Sequence, residues 1–125
     1  MIASALAIET VKPLIYIRQK PKDYGTGSLI EGKIQVGSKV VLVDDVGTTG
    51  HSLLNVIKAL KDAKIIVDSA FVIVNRLEGA RENLEKEKVK LYEIMDILTI
   101  SNVLYAEKIL DEQTLNRIKK QMNSI

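Results

Sequence analysis

The stretch "VVLVDDVGTTGHS", Val40 to Ser52, joins an apolar run to two adjacent acids and then to glycine and hydroxyl residues. An apolar run bounded by turn residues predicts a strand that is buried on both faces of a parallel sheet. Leu53, Ile57 and Leu60 follow at helical spacing and predict a helix over Thr49 to Lys64. A strand, a glycine-rich turn and a helix in this order indicate an α/β unit.

The same alternation extends in both directions along the chain. It predicts an α/β domain over residues 1–125, with a mainly parallel sheet flanked by helices. The further predicted elements are a helix over Ile2–Glu9, a strand over Pro13–Arg18, a loop over Gln19–Ser28, a strand over Ser69–Arg76, a charged helix over Gly79–Lys88, a strand over Val89–Met95, a helix capped by Thr99 or Ser101, and a helix marked by Leu115, Ile118 and Met122.

Composition excludes several classes of protein. A chain of 125 residues and 13.9 kDa suits one domain. No apolar run approaches the roughly 20 residues of a membrane span, so no membrane partner is expected. Zero cysteines favour a cytoplasmic protein without disulfides. The net charge of +2, from 18 basic and 16 acidic residues, does not favour a nucleic-acid partner.

The opening stretch carries the candidate chemistry. In parallel α/β sheets, ligands bind beyond the carboxyl ends of the strands, which is where Asp44 and Asp45 are expected. The N–H groups of Gly47 to Gly50, leading into a helix, suit a phosphate. Two carboxylates would repel a bare phosphate unless they bind hydroxyls or a magnesium ion on the same molecule. The pattern therefore predicts a sugar phosphate as the ligand.

Other phosphate motifs do not match. The Gly-Lys-Ser/Thr ending of the Walker loop and the GxGxxG dinucleotide fingerprint are both absent. His51, the single histidine, permits a catalytic role. We favour the plainer interpretation that it is a variable residue of the loop, because no partner carboxylate is evident from the sequence.

Three segments together resemble one enzyme family. "VVLVDDVGTTGHS" resembles the phosphoribosyl pyrophosphate (PRPP) motif of type I phosphoribosyltransferases. "PLIYIRQKPKDYGTGSLIEG" is similar to the strand and mobile catalytic loop of orotate phosphoribosyltransferases, and "VIVNRLEGARENL" to their next strand and turn. The matches stand in the family's order between Ile2 and Leu84. They imply a type I phosphoribosyltransferase-like fold.

The resemblance also implies roles for individual residues. Asp44 and Asp45 would hold the ribose hydroxyls, with the magnesium ion that grips the pyrophosphate nearby. Arg18 and Lys22 would act on the pyrophosphate, from a loop that in this family often closes over the neighbouring subunit's site. Orotate would lie near Thr48 and Arg76. The residues that would cradle the 5-phosphate are Val46, Gly47, Thr48, Thr49, Gly50, His51 and Ser52.

The sequence also departs from the family. Gln19 and Tyr24 stand where lysine and histidine are usual, and Asn75 replaces an aspartate beside Arg76. The family's N-terminal hood, first core strand and pyrophosphate loop have no counterpart here. We therefore expect either a shortened scaffold or part of a longer chain. A missing inner strand would expose apolar surface and unpaired backbone, which favours a homodimer or a larger homo-oligomer.

Three hypotheses follow from these observations. The first is an orotate phosphoribosyltransferase that makes orotidine 5-phosphate and pyrophosphate, for pyrimidine nucleotide biosynthesis. The second is a catalytically impaired homologue that binds PRPP or a nucleotide. The third is a regulator that uses the PRPP motif, which the near-neutral charge and the lack of a basic, aromatic-rich face disfavour.

Overall fold

The structure is a computed structural model, and it describes residues 2–18 and 29–123. The predicted loop over Gln19–Ser28 lies outside the described residues. In the two ranges no helix is both long and apolar enough to cross a bilayer. The helices and strands are α1 Ile2–Thr10, β1 Tyr16–Ile17, β2 Ile30–Glu31, β3 Lys39–Gly47, α2 His51–Asp62, β4 Ile66–Asn75, α3 Ala80–Lys86, β5 Lys90–Asp96, α4 Ile97–Ala106 and α5 Glu112–Met122.

The main sheet is parallel, as predicted, with the strand order β3-β4-β5. Each crossover contains a helix, α2 between the first two strands and α3 between the last two. The register places Gly47 opposite Asn75 and Asn75 opposite Asp96. The three strands therefore end together, and the residues that follow them share one edge of the sheet.

A second, smaller sheet is separate from the first. β1 and β2 form an antiparallel pair in which Tyr16 faces Glu31 and Ile17 faces Ile30. The strand predicted over Pro13–Arg18 is thus reduced to two residues. Within the described ranges, β3 pairs with β4 on one edge and with no strand on the other. This is compatible with the expectation that an inner strand has no counterpart here.

The core lies on the face of the main sheet that packs against α2 and α3. Leu42, Ala70 and Leu91 occupy one row across the three strands and are all buried. From the helices, side chains at helical spacing complete the same cluster, namely Leu53, Ile57, Leu60 and Leu84. The predicted amphipathic helix after the glycine turn is confirmed, although it spans His51–Asp62.

The opposite face of the sheet is largely open. Val41 is 51% exposed and Phe71 is 43% exposed, and Phe71 stacks on Tyr92 with ring centroids 4.8 Å apart. The prediction that β3 is buried on both faces is therefore wrong. An apolar run cannot distinguish a strand covered by helices on both sides from one covered on a single side, because coverage depends on the other elements.

The predicted cap of α4 is also wrong. Asp96, the last residue of β5, is the N-cap, and its carboxylate accepts bonds from the Thr99 N–H at 2.8 Å and the Thr99 hydroxyl at 3.0 Å. Ser101 lies inside the helix and donates to the Ile97 carbonyl. The strand passes into the helix without a loop, so the cap is a strand residue. The last predicted helix is confirmed as α5, with Leu115 buried.

Candidate phosphate and ribose site

A tight turn connects β3 to α2. Gly50 is the N-cap of α2 and has φ of +80°, a left-handed conformation that L side chains rarely adopt. A Cβ atom at this position would lie 2.7 Å from Leu84 Cδ1 and 3.2 Å from Ala80 Cα. Glycine is therefore required here both by conformation and by the close approach of α3.

Every backbone carbonyl of the turn is engaged in a hydrogen bond. The Gly47 and Thr48 carbonyls accept from the backbone N–H groups of Arg76 at 2.8 Å and Ala80 at 3.1 Å. The Thr49 carbonyl accepts from the side-chain amide of Asn83 at 2.9 Å. The Gly50 carbonyl accepts from the Leu54 N–H at 2.8 Å, which begins α2.

These bonds determine where the N–H groups of the turn point. In a trans peptide the N–H is antiparallel to the C=O, and the described residues contain no cis peptide. Across the same residues, the N–H groups of Thr48, Thr49 and Gly50 donate no hydrogen bond. They point away from the partners of the carbonyls, beside the N-terminus of α2. The turn is a set of oriented donors that suits a phosphate.

Asp44 and Asp45 precede this turn, with Val46 between them and Gly47, and they lie within β3 rather than beyond its end. Successive strand residues start on opposite sides of the sheet, but the two carboxylates remain close enough to interact with each other. Asp44 is half-buried, whereas Asp45 is exposed. Each accepts the N–H of the next residue, at 2.9 Å for Asp44 and 2.8 Å for Asp45.

The two acids differ in their electrostatic environment. Burial raises the pKa of Asp44 above its ordinary value, and the charge of Asp45 adds to this effect, while the hydrogen bond from the Asp45 N–H opposes it. A carboxylate that has lost part of its hydration gains from hydroxyl donors or from a cation. Asp44 is thus suited to accept hydrogen bonds from a ligand.

Arg76 follows β4 at the same edge of the sheet. Its Nη2 atom lies 2.6 Å from Glu78 Oε1, and the guanidinium side chain is 47% exposed. The contact is an ion pair without hydrogen-bond alignment, and Glu78 Oε1 is buried with no hydrogen bond among the described residues. Glu78 therefore restrains one side of the guanidinium, while its exposed part remains accessible to an anionic or carbonyl-bearing ligand.

Asn75 shapes the turn that carries Arg76. Its side chain is buried, and Oδ1 accepts a hydrogen bond from the Leu77 N–H at 2.9 Å. Leu77 has φ of +59°, an uncommon value for a non-glycine residue. An aspartate could accept the same bond, so the asparagine retains the turn without adding a buried charge.

The chain matches the family described as the phosphoribosyl transferase domain over residues 1–107. The match includes the acids, the turn and Arg76. The chain belongs to this family.

Individual proteins that are similar to this chain include orotate phosphoribosyltransferases. The orotate phosphoribosyltransferase of Methanocaldococcus jannaschii is 51% identical over 96 residues, which cover 77% of this chain and 54% of that protein. The crystal structure of orotate phosphoribosyltransferase from Aeropyrum pernix has a TM-score of 0.70 and 37% identity, over 82% of this chain and 55% of that one. This chain thus spans about half the length of these relatives.

A ligand-bound structure is also similar. The Mycobacterium tuberculosis orotate phosphoribosyltransferase in complex with PRPP has a TM-score of 0.60 and 28% identity, over 69% of this chain and 48% of that one. The likeness supports the α/β fold predicted from the sequence.

Of the two residues expected to act on the pyrophosphate, Arg18 is the one that lies in the described ranges. Arg18 bonds to Glu31 through Nε at 2.6 Å and through Nη2 at 2.5 Å, which associates it with β2. Lys22 lies outside the described residues, as do Gln19 and Tyr24. His51 is exposed in the first turn of α2.

Sequence reasoning missed three residues that support the site. Ala80 and Asn83 of α3 hold the carbonyls of the turn, and Glu78 pairs with Arg76. By its sequence, the segment "GARENL" indicates only part of a charged helix and a family match. Its role depends on contact with a turn some 30 residues earlier, for which the sequence carries no local signal.

Proposed function

We propose that this chain is the PRPP-binding part of an orotate phosphoribosyltransferase, which transfers phosphoribose from PRPP to orotate and releases pyrophosphate. The observation that supports this most strongly is the turn from Gly47 to Gly50. Its carbonyls are hydrogen-bonded, its N–H groups point outward, and Val46 alone separates it from two acids. A ribose phosphate combines the phosphate and the adjacent hydroxyls that such a site would bind. The names of the relatives supply the base and the reaction class.

Each residue has a distinct part in this proposal. The segment from Val46 to Ser52 binds the 5-phosphate, and Asp44 and Asp45 accept hydrogen bonds from the ribose hydroxyls. Arg76 binds the carboxylate or the ring oxygens of orotate, near Thr48. Reaction requires charge to build on the departing pyrophosphate, so cationic groups such as Arg18 and Lys22 would promote it.

Magnesium fits this proposal as a companion of the substrate. Among the described residues, no cluster of three or more acidic, histidine or cysteine side chains could hold a metal ion. Mg²⁺ commonly binds through one or two carboxylates together with phosphate oxygens, which suits the position of Asp44 and Asp45. When bound, it would supply positive charge to the pyrophosphate.

Orotate consumption tests the proposal. Incubation with orotate, PRPP and magnesium should consume the ultraviolet absorbance of orotate. The substitution Arg76→Lys removes the planar donor fork and should weaken orotate binding about 10- to 100-fold. The exposed Arg117→Lys on α5 serves as the matched control and should leave binding unchanged.

Measurements of PRPP binding and of orotate turnover together distinguish the proposed enzyme from a catalytically impaired homologue. Binding of PRPP by a folded protein that turns over no orotate would favour the catalytically impaired homologue. Gln19 and Tyr24, together with the Arg18–Glu31 pair, support that alternative. Failure to bind PRPP or ribose 5-phosphate would exclude both the enzyme and the impaired homologue.

No nucleic-acid or membrane partner is proposed, and the lack of cysteine supports a cytoplasmic location.

We also propose a homodimer or a larger homo-oligomer. The open apolar face around Phe71 and Tyr92, and the edge of β3 that no strand covers in the described ranges, both favour association. Light scattering at micromolar concentration tests this. A monomer would contradict it.

A further inference from the structure

Four hydrogen bonds orient the turn from Gly47 to Gly50, and three of them need no particular side chain. The donors to Gly47, Thr48 and Gly50 are backbone N–H groups of Arg76, Ala80 and Leu54. The bond to the Thr49 carbonyl is different because its donor is the side-chain amide of Asn83. This support for the turn depends on the identity of one residue.

The contacts of Asn83 determine the orientation of its amide. Lys86 Nζ lies 3.1 Å from Asn83 Oδ1 and can only donate, so Oδ1 is the acceptor and Nδ2 faces the Thr49 carbonyl. The backbone N–H of Asn83 donates to the Gly79 carbonyl at 3.0 Å, which anchors the residue in α3. An aspartate would keep the shape but would place a carboxylate oxygen against the carbonyl.

The peptide between Thr49 and Gly50 is the one that Asn83 restrains. Its N–H is antiparallel to the Thr49 carbonyl and therefore points away from α3. Gly50 has no Cβ atom to limit rotation, so without Asn83 this peptide can turn. A turned peptide would present a carbonyl oxygen to the phosphate in place of an N–H donor, which is repulsive.

We propose that Asn83 is a positioning residue that holds the Thr49–Gly50 peptide with its N–H directed at the ligand phosphate. The identity of the ligand rests on the function proposed above. Asn83 itself lies behind the turn, so it affects phosphate affinity without touching the base site. Its loss should therefore weaken ligands that carry a phosphate, and should leave orotate binding unchanged.

Two measurements test this role. In ¹⁵N-labelled protein without ligand, Asn83→Ala and Asn83→Asp should lower the backbone order parameter of Gly50. Calorimetry with ribose 5-phosphate should give about 3- to 10-fold weaker binding for both variants, since a single hydrogen bond is lost. The exposed Asn102→Ala on α4 is the matched control and should change neither quantity.

The outcomes distinguish this inference from the proposed function. Alanine favours helices, so Asn83→Ala should fold, and thermal unfolding checks this. An unchanged Gly50 order parameter in both Asn83 variants, or undiminished binding of ribose 5-phosphate by them, would overturn the role of Asn83. If the wild-type protein binds neither ribose 5-phosphate nor PRPP, the proposed function fails, and the order parameters alone decide whether Asn83 holds the turn.

Discussion

Asp44 and Asp45 are chemically identical neighbours that the fold places in different surroundings. Asp44 is half-buried and its pKa is raised, first by burial and then by the charge of Asp45. Asp45 is exposed. The chain therefore maintains a carboxylate in a place that disfavours its charge, as is frequent where a side chain serves a ligand.

The raised pKa of Asp44 gives a prediction for stability. The folded state binds this proton more readily than the unfolded chain, so ionised Asp44 lowers stability above its raised pKa. This penalty disappears as the pH falls through that pKa. Asp44→Asn retains the acceptor for the Asp45 N–H and should raise the midpoint of thermal unfolding at pH 7.

Comparison with Asp45→Asn provides the control for this prediction. The stabilising effect should be larger at position 44, and it should fade toward pH 3, where Asp44 is protonated. Both variants should weaken PRPP binding. Equal melting temperatures for the two variants at pH 7 would contradict the argument.

At the scale of elements, the Gly47–Gly50 turn depends on a helix that follows it by some 30 residues. α3 supplies the Ala80 N–H, the Asn83 amide and the close packing of Ala80 and Leu84 against Gly50. The turn is thus held between the start of α2 and the start of α3. A disturbance of this packing should affect both folding and phosphate binding.

Two glycine positions allow the destabilisation caused by close packing to be measured apart from that caused by backbone strain. Gly50 and Gly37 have similar φ angles, +80° and +84°, but a Cβ atom at Gly37 would meet nothing within 4 Å. Each alanine substitution should lose about 1–2 kcal/mol to the left-handed conformation. Gly50→Ala should lose about 1–3 kcal/mol more, because its Cβ atom meets Ala80 and Leu84. Urea unfolding measures the difference, and equal losses would show that α3 yields to the extra atom.

At the scale of the whole molecule, three ionised carboxylates are stabilised by hydrogen bonds, two of them between elements and one at the start of a helix. Hydrogen bonding to Lys39 lowers the pKa of Asp68, and hydrogen bonding to Lys61 lowers the pKa of Glu87. The Thr114 N–H lowers the pKa of Asp111 at the start of α5. The side chains of Glu87 and Asp111 are exposed and that of Asp68 is about half exposed, so each contribution is small and sensitive to salt.

These lowered pKa values predict acid destabilisation. The three contributions are fully present above the unfolded pKa values and are lost as the pH falls through the folded ones. Urea unfolding from pH 7 to pH 2 should show this decline. Asp68→Asn and Asp111→Asn should each flatten the profile, with the curves converging with that of the wild-type protein at the acid end. Curves parallel to the wild-type profile would disprove the assignment.

Local pattern alone predicted much of this protein. The alternation of apolar runs and helical spacing indicated a parallel α/β sheet, and β3, α2, β4 and β5 were found close to their expected ranges. The acids and the glycine turn were located in the same way, because strand ends and helix starts follow from neighbouring residues. The role expected of Arg76 came instead from the family resemblance. The cap at Asp96 was missed because a strand runs directly into a helix there.

Only the tertiary structure decided how these parts support one another. The open sheet face at Phe71 depends on which elements cover it, and the Asn83–Thr49 bond joins residues 34 positions apart. Sequence periodicity records which side of an element is apolar, but not which other element covers it. The sequence therefore determined where the Gly47–Gly50 turn lies, and the packing of α3 determined which way its N–H groups point.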